Sequence, residues 1–227
     1  MQYLWLCPIC LVLAVIFIFV EKAEKFIEAD AIKGFASFTF VILGWLSSTR
    51  ASASADPAYV WLIVAGLAVG AVADVILNMR HIFEGAKGKI AFLGGIVVFM
   101  IGHLLYLMAV ARVCQMLWLF VAIGLVLTGA LMMWILQHIE AAMAFKVFGV
   151  FYIGAIVIMN CVAIGALIAN PSHHALMFVA GALLFLVSDI ILILNTFGPT
   201  DRFTWRVSNL MLYYVGQLLI ALSLQLL

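Results

Sequence analysis

Long apolar stretches make up most of the chain and are separated by short polar connections. Each stretch has about the 20 residues that a helix needs to cross a bilayer. The stretches are continuously apolar, whereas the strands of a membrane β-barrel alternate between apolar and polar positions. The pattern therefore predicts an all-α polytopic membrane helix bundle, a single transmembrane domain over residues 1–227. Its eight predicted transmembrane helices span residues 3–20, 32–48, 58–78, 89–111, 116–137, 142–168, 174–196 and 205–227.

The composition agrees with a membrane protein and excludes other classes. Hydrophobic residues make up 68% of the chain and charged residues 9%, against about 45–50% and about 25% in soluble domains. So apolar a chain is not expected to be disordered. The net charge of +1 leaves no basic surface to neutralise phosphates, so no nucleic-acid partner is expected. Membrane lipids are the expected surroundings, and the composition does not indicate an oligomeric state.

Basic residues are distributed unevenly between the two sides of the predicted bundle. Positive charge favours the cytoplasmic side of a membrane. The connections on one side contain Arg50 and Arg112, whereas those on the other contain nine Lys and Arg residues. We therefore expect an integral protein of a bacterial inner membrane with both termini outside the cytoplasm. The nine cytoplasmic residues are Lys22, Lys25, Lys33, Arg80, Lys87, Lys89, Lys146, Arg202 and Arg206.

Most charged residues lie in or near the connections, but two carboxylates and a histidine lie well within predicted helices, and a lysine lies at the start of one. Asp74 lies in the third helix and Asp189 in the seventh, both in the cytoplasmic half and with Asp74 nearer the surface. His103 lies well inside the fourth helix, and Lys33 begins the second, close to the cytoplasmic surface. Ionisable groups are costly inside a bilayer and usually face the bundle interior or a wet cavity. Each is therefore a candidate functional residue.

Polar and small residues fall on single helical faces around these groups, at spacings that place side chains on one side of a helix. Helices three and seven run in the same direction, four helices apart, and each carries one aspartate. This arrangement suggests a parallel 4+4 internal repeat with one acidic site in each half. The faces are formed by Gly66, Gly70, Asp74 and Asn78, by Gly95, Phe99, His103 and Tyr106, by Gly181, Phe185 and Asp189, and by Asn209, Tyr213 and Gln217 with Tyr214.

Each of these residues can also have a purely structural role. Buried Asn, Gln and Tyr can join helices through hydrogen bonds worth about 0.6–2 kcal/mol each. The Ser188 hydroxyl is expected to bond a backbone carbonyl. For Asp74 and Asp189 the functional interpretation is favoured, because an ionised carboxylate in a membrane costs more than such contacts return.

In chain order, these residues resemble the lysoplasmalogenase family of YhhN-like membrane proteins over most of the chain. Lys33 falls where the family has a Lys-Pro pair, and Tyr152 where it often has a tyrosine in helix six. Two departures affect local helix geometry: Ala73 replaces a glycine before the acidic residue, and Gly34 replaces the proline. The matching motifs are Gly70-x-x-x-Asp74 with Leu77, Gly95-x-x-x-Phe99-x-x-x-His103-x-x-Tyr106, the segment AGALLFLVSD that ends at Asp189, and Tyr213-Tyr214-x-x-Gln217.

The resemblance implies an eight-helix bundle that hydrolyses the vinyl ether bond of a lysoplasmalogen, a lysophospholipid, to a fatty aldehyde and a glycerophospho-head-group alcohol. Such a bond is cleaved by protonating the carbon β to oxygen, which leaves an oxocarbenium ion that water attacks. Two carboxylates in unequal surroundings suit this reaction, as in glycoside hydrolysis. We expect Asp189, the deeper residue, to be the general acid, and Asp74 to stay ionised and activate water. Depth alone motivates this assignment, and the roles can be exchanged.

The other candidate residues are assigned to positioning and substrate binding, and no cofactor or metal is required. Lys33, with Arg80, would hold the phosphate near the headgroup plane. The residues expected to orient the carboxyls, the water and the ether oxygen are Asn78, His103, Tyr106, Tyr152, Ser188, Tyr213, Tyr214 and Gln217.

Two alternatives remain open from the sequence. His103, Asp74 and Asp189 could be three ligands of a zinc ion in a metal-dependent lysolipid hydrolase. A proton-coupled small transporter or a lipid-binding membrane protein is the other alternative, because transporters also combine internal repeats with polar groups at the midplane.

Overall fold

The computed structural model describes residues 3–227, and within them the fold is an all-α bundle without β-strands. Eight α-helices in this range follow most of the predicted apolar stretches, which confirms that the fold is all-α. Single 3-10 turns at Met79–His81 and Leu224–Leu226 extend the third and eighth helices. The helices are α1 (Leu6–Lys22), α2 (Phe26–Ser48), α3 (Pro57–Asn78), α4 (Gly85–Ala111), α5 (Leu117–Gln137), α6 (Met143–Ala169), α7 (His173–Phe197) and α8 (Phe203–Ser223).

Six helices of the described chain, α3 to α8, are long and apolar enough to cross a membrane. Such helices are expected of an integral membrane protein. The first two helices are not among the six. Helix α1 has 17 residues, and α2 carries Glu28, Asp30 and Lys33 within its first turns. Eight helices are therefore present, while six of them have the length and composition of a membrane span.

Helix α2 begins at Phe26, six residues before the predicted start at 32. The prediction excluded the charged first turns because their mean hydropathy is low. In the structure Asp30 and Lys33 are buried, because both lie on the face of α2 that points into the bundle. The helix therefore continues through its charged residues.

Close backbone contacts join α3 to α4 and α7 to α8, the two most extensively packed helix pairs. A Cβ atom on Gly181 would lie 2.6 Å from the carbonyl oxygen of Gly216, and one on Gly102 would lie 3.3 Å from that of Gly66. At Gly181 any side chain would push the two helices apart, and at Gly102 it would fit tightly, so small residues allow both close crossings.

The two halves of the bundle join through α4 against α6 and α2 against α8. Helices α6 and α8 are among the most buried, whereas α5 packs mainly against α6 and exposes apolar side chains such as Val126 and Met133. Exposed apolar side chains are expected on the face that a membrane protein presents to lipid. The centre of the bundle, between α2, α3, α4, α6, α7 and α8, contains the polar residues described next.

Candidate active site

Asp74 is held by a cation and two hydroxyl donors at the centre of the bundle. Its Oδ1 lies 3.2 Å from Nζ of Lys33 in α2. Its Oδ2 accepts hydrogen bonds from Ser37 Oγ at 2.6 Å and from Tyr213 Oη at 2.5 Å. The hydroxyl of Tyr214 lies 3.4 Å from that of Ser37. Helices α2 and α8 therefore surround this carboxyl with positive charge and donors.

Asp189 has different partners. The Tyr152 hydroxyl in α6 donates a hydrogen bond to its Oδ2. Within the described residues Asp189 forms no salt bridge. The His103 ring packs against the rings of Tyr152 and Phe185, with centroids 5.8 Å and 4.4 Å away. The second carboxyl thus lies beside a cluster of aromatic rings without a paired cation.

The two carboxyls line the same cavity, which has a volume of about 40 Å³. Lys33, Tyr152 and Tyr213, the partners already described, line it as well. One water molecule occupies about 30 Å³ of liquid volume, so the cavity has room for about one water between the two acids. This placement brings both predicted carboxylates to one point.

Burial does not distinguish the two aspartates. Asp74 is 2% exposed and Asp189 4% exposed, so neither carboxyl reaches solvent. Lys33 is 3% exposed, and it lies two turns inside α2 because the helix begins earlier than predicted. The prediction was that the Lys33 ammonium group binds the lipid phosphate. In the structure this group contacts the Asp74 carboxylate. The difference between the two acids is in their partners.

The remaining predicted residues fall into those near the carboxyls and those that join helices. Tyr106 donates a hydrogen bond of 3.0 Å to Gln217 Oε1, which connects α4 to α8. The Nδ1 atom of His103 lies 2.9 Å from the carbonyl oxygen of Phe99. Its Nε2 atom is buried without a hydrogen-bond partner in the described residues. His103 therefore retains one ring nitrogen free for a water or a ligand.

Ser188 and Asn78 do not contact either carboxyl through a hydrogen bond. Ser188 donates to the backbone carbonyl of Asn209 at 3.0 Å, as the structural interpretation predicted. Asn209 returns hydrogen bonds to the carbonyl and hydroxyl of Ser188, which joins α7 to α8. Both amide atoms of Asn78 and Oδ1 of Asp30 are buried and form no hydrogen bond of standard geometry within the described residues. Unsatisfied buried polar atoms usually mark a position for water.

Sequence reasoning missed Ser37, a direct hydrogen-bond donor to Asp74. A serine in an apolar helix carries little signal by itself. Its position four residues after Lys33 places both side chains on one helical face, which is the clue the sequence contained. Arg206 was assigned only to a connection, yet it lines the acidic cavity and forms a two-pronged ion pair with Glu21 at 2.9 Å and 2.6 Å.

A larger vestibule of about 790 Å³ adjoins the acidic cavity at the end of the bundle where α3 and α7 terminate. Leu192, Arg206 and Asn209 line both spaces. Among the basic residues of the vestibule, Arg80 has its guanidinium carbon 4.3 Å from the ring centre of Phe92. Its Nη1 atom has no hydrogen-bond partner among the described residues.

Among residues 3–227, no group of three or more His, Cys, Asp or Glu side chains is placed to hold a metal ion. His103 contributes a backbone hydrogen bond and ring contacts, while Asp74 and Asp189 are bonded to hydroxyls. The zinc ligand set considered from the sequence is therefore not formed.

Comparison with known proteins identifies the family of the chain. No curated protein and no solved structure matches it significantly. The model of the YhhN family matches residues 29–224, a range that includes both aspartates and all the partners described for them. The chain therefore belongs to the YhhN family, which includes lysoplasmalogenases.

Proposed function

We propose that the protein is a membrane-embedded hydrolase that cleaves the vinyl ether bond of lysoplasmalogens, with Asp189 as general acid and Asp74 as the ionised partner. The observation that carries this proposal is the single cavity lined by two carboxyls with unlike partners. The family, which includes lysoplasmalogenases, supports the same activity.

The reaction needs a proton donor first and a negative charge immediately afterwards. Asp189 donates a proton to the β carbon of the vinyl ether, and the α carbon becomes part of an oxocarbenium ion. The Asp74 carboxylate stabilises this cation and accepts a proton from the water that attacks it. The resulting hemiacetal collapses when Asp74 returns that proton to the ether oxygen and Asp189 takes the hydroxyl proton. An alcohol and an aldehyde leave, and both carboxyls regain their starting states.

The partners of the two acids support this division of roles. A nearby cation and hydroxyl donors stabilise the ionised form of a carboxyl, and Asp74 has Lys33, Ser37 and Tyr213 around it. Asp189 is paired with a neutral hydroxyl beside aromatic rings, surroundings that favour a neutral carboxyl. The different partners of the two carboxyls, rather than their depth in the membrane, therefore support Asp189 as the acid and Asp74 as the anion.

The vestibule is the proposed site of the headgroup. Arg80 is our candidate for the lipid phosphate, because it lines the vestibule and its buried Nη1 atom lacks a hydrogen-bond partner among the described residues. Arginine binds phosphate through paired donors. Since Lys33 is already paired with Asp74, the phosphate-binding role passes to Arg80 alone. The basic residues at this end of the bundle support its placement at the cytoplasmic leaflet of a bacterial inner membrane, with both termini outside.

Corresponding contacts in the two halves support the parallel 4+4 repeat. Each aspartate accepts a hydrogen bond from the hydroxyl of the residue 37 positions earlier, Ser37 for Asp74 and Tyr152 for Asp189. Two turns before each aspartate, Gly66 and Gly181 lie at the close helix crossings. We infer that α1–α4 and α5–α8 are equivalent units that each contribute one acid to the cavity.

The test is hydrolysis by purified protein in detergent, measured as release of fatty aldehyde from a lysoplasmalogen. A saturated alkyl ether lysolipid and an ester lysolipid serve as comparison substrates. We expect cleavage of the vinyl ether alone, because protonation of a saturated ether chain gives no oxocarbenium ion. Asp189→Asn and Asp74→Asn should each lower kcat by about 10²–10⁴-fold, the usual contribution of general acid–base catalysis.

Asp30→Asn is the matched control, since Asp30 is a buried carboxyl of α2 that does not line the acidic cavity. It should retain turnover within a few-fold of the wild type. Full turnover in either Asp74→Asn or Asp189→Asn would overturn the mechanism. Absence of aldehyde together with substrate flux in liposomes would favour a transporter instead.

A further inference from the structure

A second, apolar cavity opens beside the acidic one. It has a volume of about 40 Å³ and lies between α4, α5, α6 and α7. Its lining is almost entirely carbon, from residues such as Ile96, Met132 and Ile135. Helix α5, which forms one wall, packs mainly against α6. A wall held by one neighbour can move outward at a lower cost than a helix packed on several sides.

Three spaces meet at Leu192, one turn after Asp189. This side chain lines the acidic cavity, the polar vestibule and the apolar cavity alike. Tyr152, the hydroxyl partner of Asp189, also lines both the acidic and the apolar cavity. The apolar cavity therefore adjoins the acidic cavity on the side of Asp189.

A cluster of three aromatic rings separates the apolar cavity from the vestibule. The centroids of Phe92, Phe145 and Phe197 lie 5.4 to 5.8 Å apart. All three residues line both spaces. The rings thus form a partition with polar groups on one side and apolar side chains on the other.

We propose that the apolar cavity binds the hydrocarbon chain of the substrate, at the carbons that follow the vinyl ether. This inference rests on the proposed function. A lysoplasmalogen consists of a charged headgroup, a vinyl ether and a hydrocarbon chain in that order. The three spaces that meet at Leu192 have matching chemistry: a basic vestibule, an acidic cavity and an apolar cavity. The partition of Phe92, Phe145 and Phe197 keeps headgroup and chain on separate paths.

Gly149 is the position at which a substitution can reduce the volume of this chain site. It lines the cavity on the face of α6 that also carries Phe145 and Tyr152. A Cβ atom added at Gly149 meets no atom within 4 Å, so the first carbon of a larger side chain meets no obstacle there. A space of about 40 Å³ holds one or two methylene-sized groups, judged by the roughly 30 Å³ of a water molecule. A leucine at this position fills that space.

The experiment compares two substrates in the wild type, Gly149→Leu and Gly129→Leu. Gly129 is the matched control, because its Cβ position is also open and it lines none of the cavities described. One substrate is a long-chain lysoplasmalogen, and the other is its 1-O-vinyl analogue, which has the same headgroup but no chain. Each buried methylene contributes about a fourfold factor in affinity. Gly149→Leu should therefore lower kcat/KM for the long-chain substrate by about four- to fifteenfold and leave the 1-O-vinyl analogue unchanged.

Equal loss on both substrates, or equal behaviour of Gly149→Leu and Gly129→Leu, would overturn the chain site. Binding of a non-cleavable saturated alkyl ether lysophospholipid, measured by calorimetry, gives a readout independent of turnover. If the wild type releases no aldehyde, the proposed function fails. The chain site is then judged by binding alone, where Gly149→Leu must weaken the long-chain ligand by the same factor. Unchanged binding would overturn it.

Discussion

The ion pair between Lys33 and Asp74 allows a quantitative test of the polar centre. Nζ and Oδ1 lie 3.2 Å apart, and the side chains are 4% and 2% exposed. At this separation the attraction is about 5 kcal/mol for an effective dielectric constant of about 20. Removing one partner of a buried pair costs about 3–5 kcal/mol, because the other charge is left unpaired, whereas replacing both partners is often nearly neutral.

The changes are Lys33→Met, Asp74→Asn and the double variant. Methionine keeps the length of the lysine stem without its charge, and asparagine keeps the shape of the aspartate. We expect each single variant to lower the free energy of unfolding by about 3–5 kcal/mol. The double variant should lose far less than the sum, so that the coupling energy is about 3 kcal/mol or more.

The free energies are measured by reversible unfolding in mixed micelles of a nonionic detergent and dodecyl sulfate, followed by circular dichroism. The control is the same double-mutant cycle at Arg112 and Asp56, whose side chains are 47% and 36% exposed. This exposed pair should show much weaker coupling, because water screens the charges. Additive losses at Lys33 and Asp74 would refute the reasoning, since they would mean that the two groups do not interact as charges. The double variant also provides a folded protein that lacks the proposed Asp74 carboxylate.

Two further predictions concern the helix packing and an exposed charge. Gly181→Ala should destabilise the protein by about 1–3 kcal/mol, because the new Cβ lies 2.6 Å from the Gly216 carbonyl oxygen. The measurement is thermal unfolding, and the control is Gly129→Ala, where the Cβ position is open and no loss of stability is expected. An equal loss of stability in both variants would contradict this explanation. The hydrogen bond from Arg112 lowers the pKa of Asp56 below its usual value, so the stabilisation is complete above about pH 4 and disappears as pH falls through the lowered pKa. The difference in Tm between the wild type and Asp56→Asn should therefore shrink in acid, and a difference that grows there would be incompatible with the ion pair.

The helices were predictable from sequence because most apolar stretches have the length of a membrane span and end where charge or proline collects. The start of α2 was not predictable from mean hydropathy, because this quantity averages over all faces of a helix. Asp30 and Lys33 lower that mean although both face the interior. The same averaging placed Lys33 at the start of the helix rather than two turns inside it. That Lys33 is a buried residue becomes evident only once its partner Asp74 is known.

The ionisable residues of the candidate site were predictable from sequence, whereas the hydrogen bonds that connect them were not. Asp74 and Asp189 stand out because carboxylates are rare in apolar helices. Ser37 does not, because serine is common in membrane helices and its role depends on a partner in α3. The meeting of three cavities at Leu192 depends on helix packing across the whole bundle, which no local pattern encodes.

The unequal partners of the two acids are easier to explain by chemistry than by stability. A buried ion pair can usually be replaced by apolar residues at little or no cost in stability, so folding alone does not require Lys33 beside Asp74. The corresponding hydroxyl donors, Ser37 and Tyr152, lie at the same sequence distance from their aspartates. Among the described residues, a cation pairs with Asp74 and none pairs with Asp189. A reaction that needs a neutral acid followed by an anion requires this asymmetry between two otherwise equivalent carboxyls, and on the proposed mechanism Lys33 is the residue that creates it.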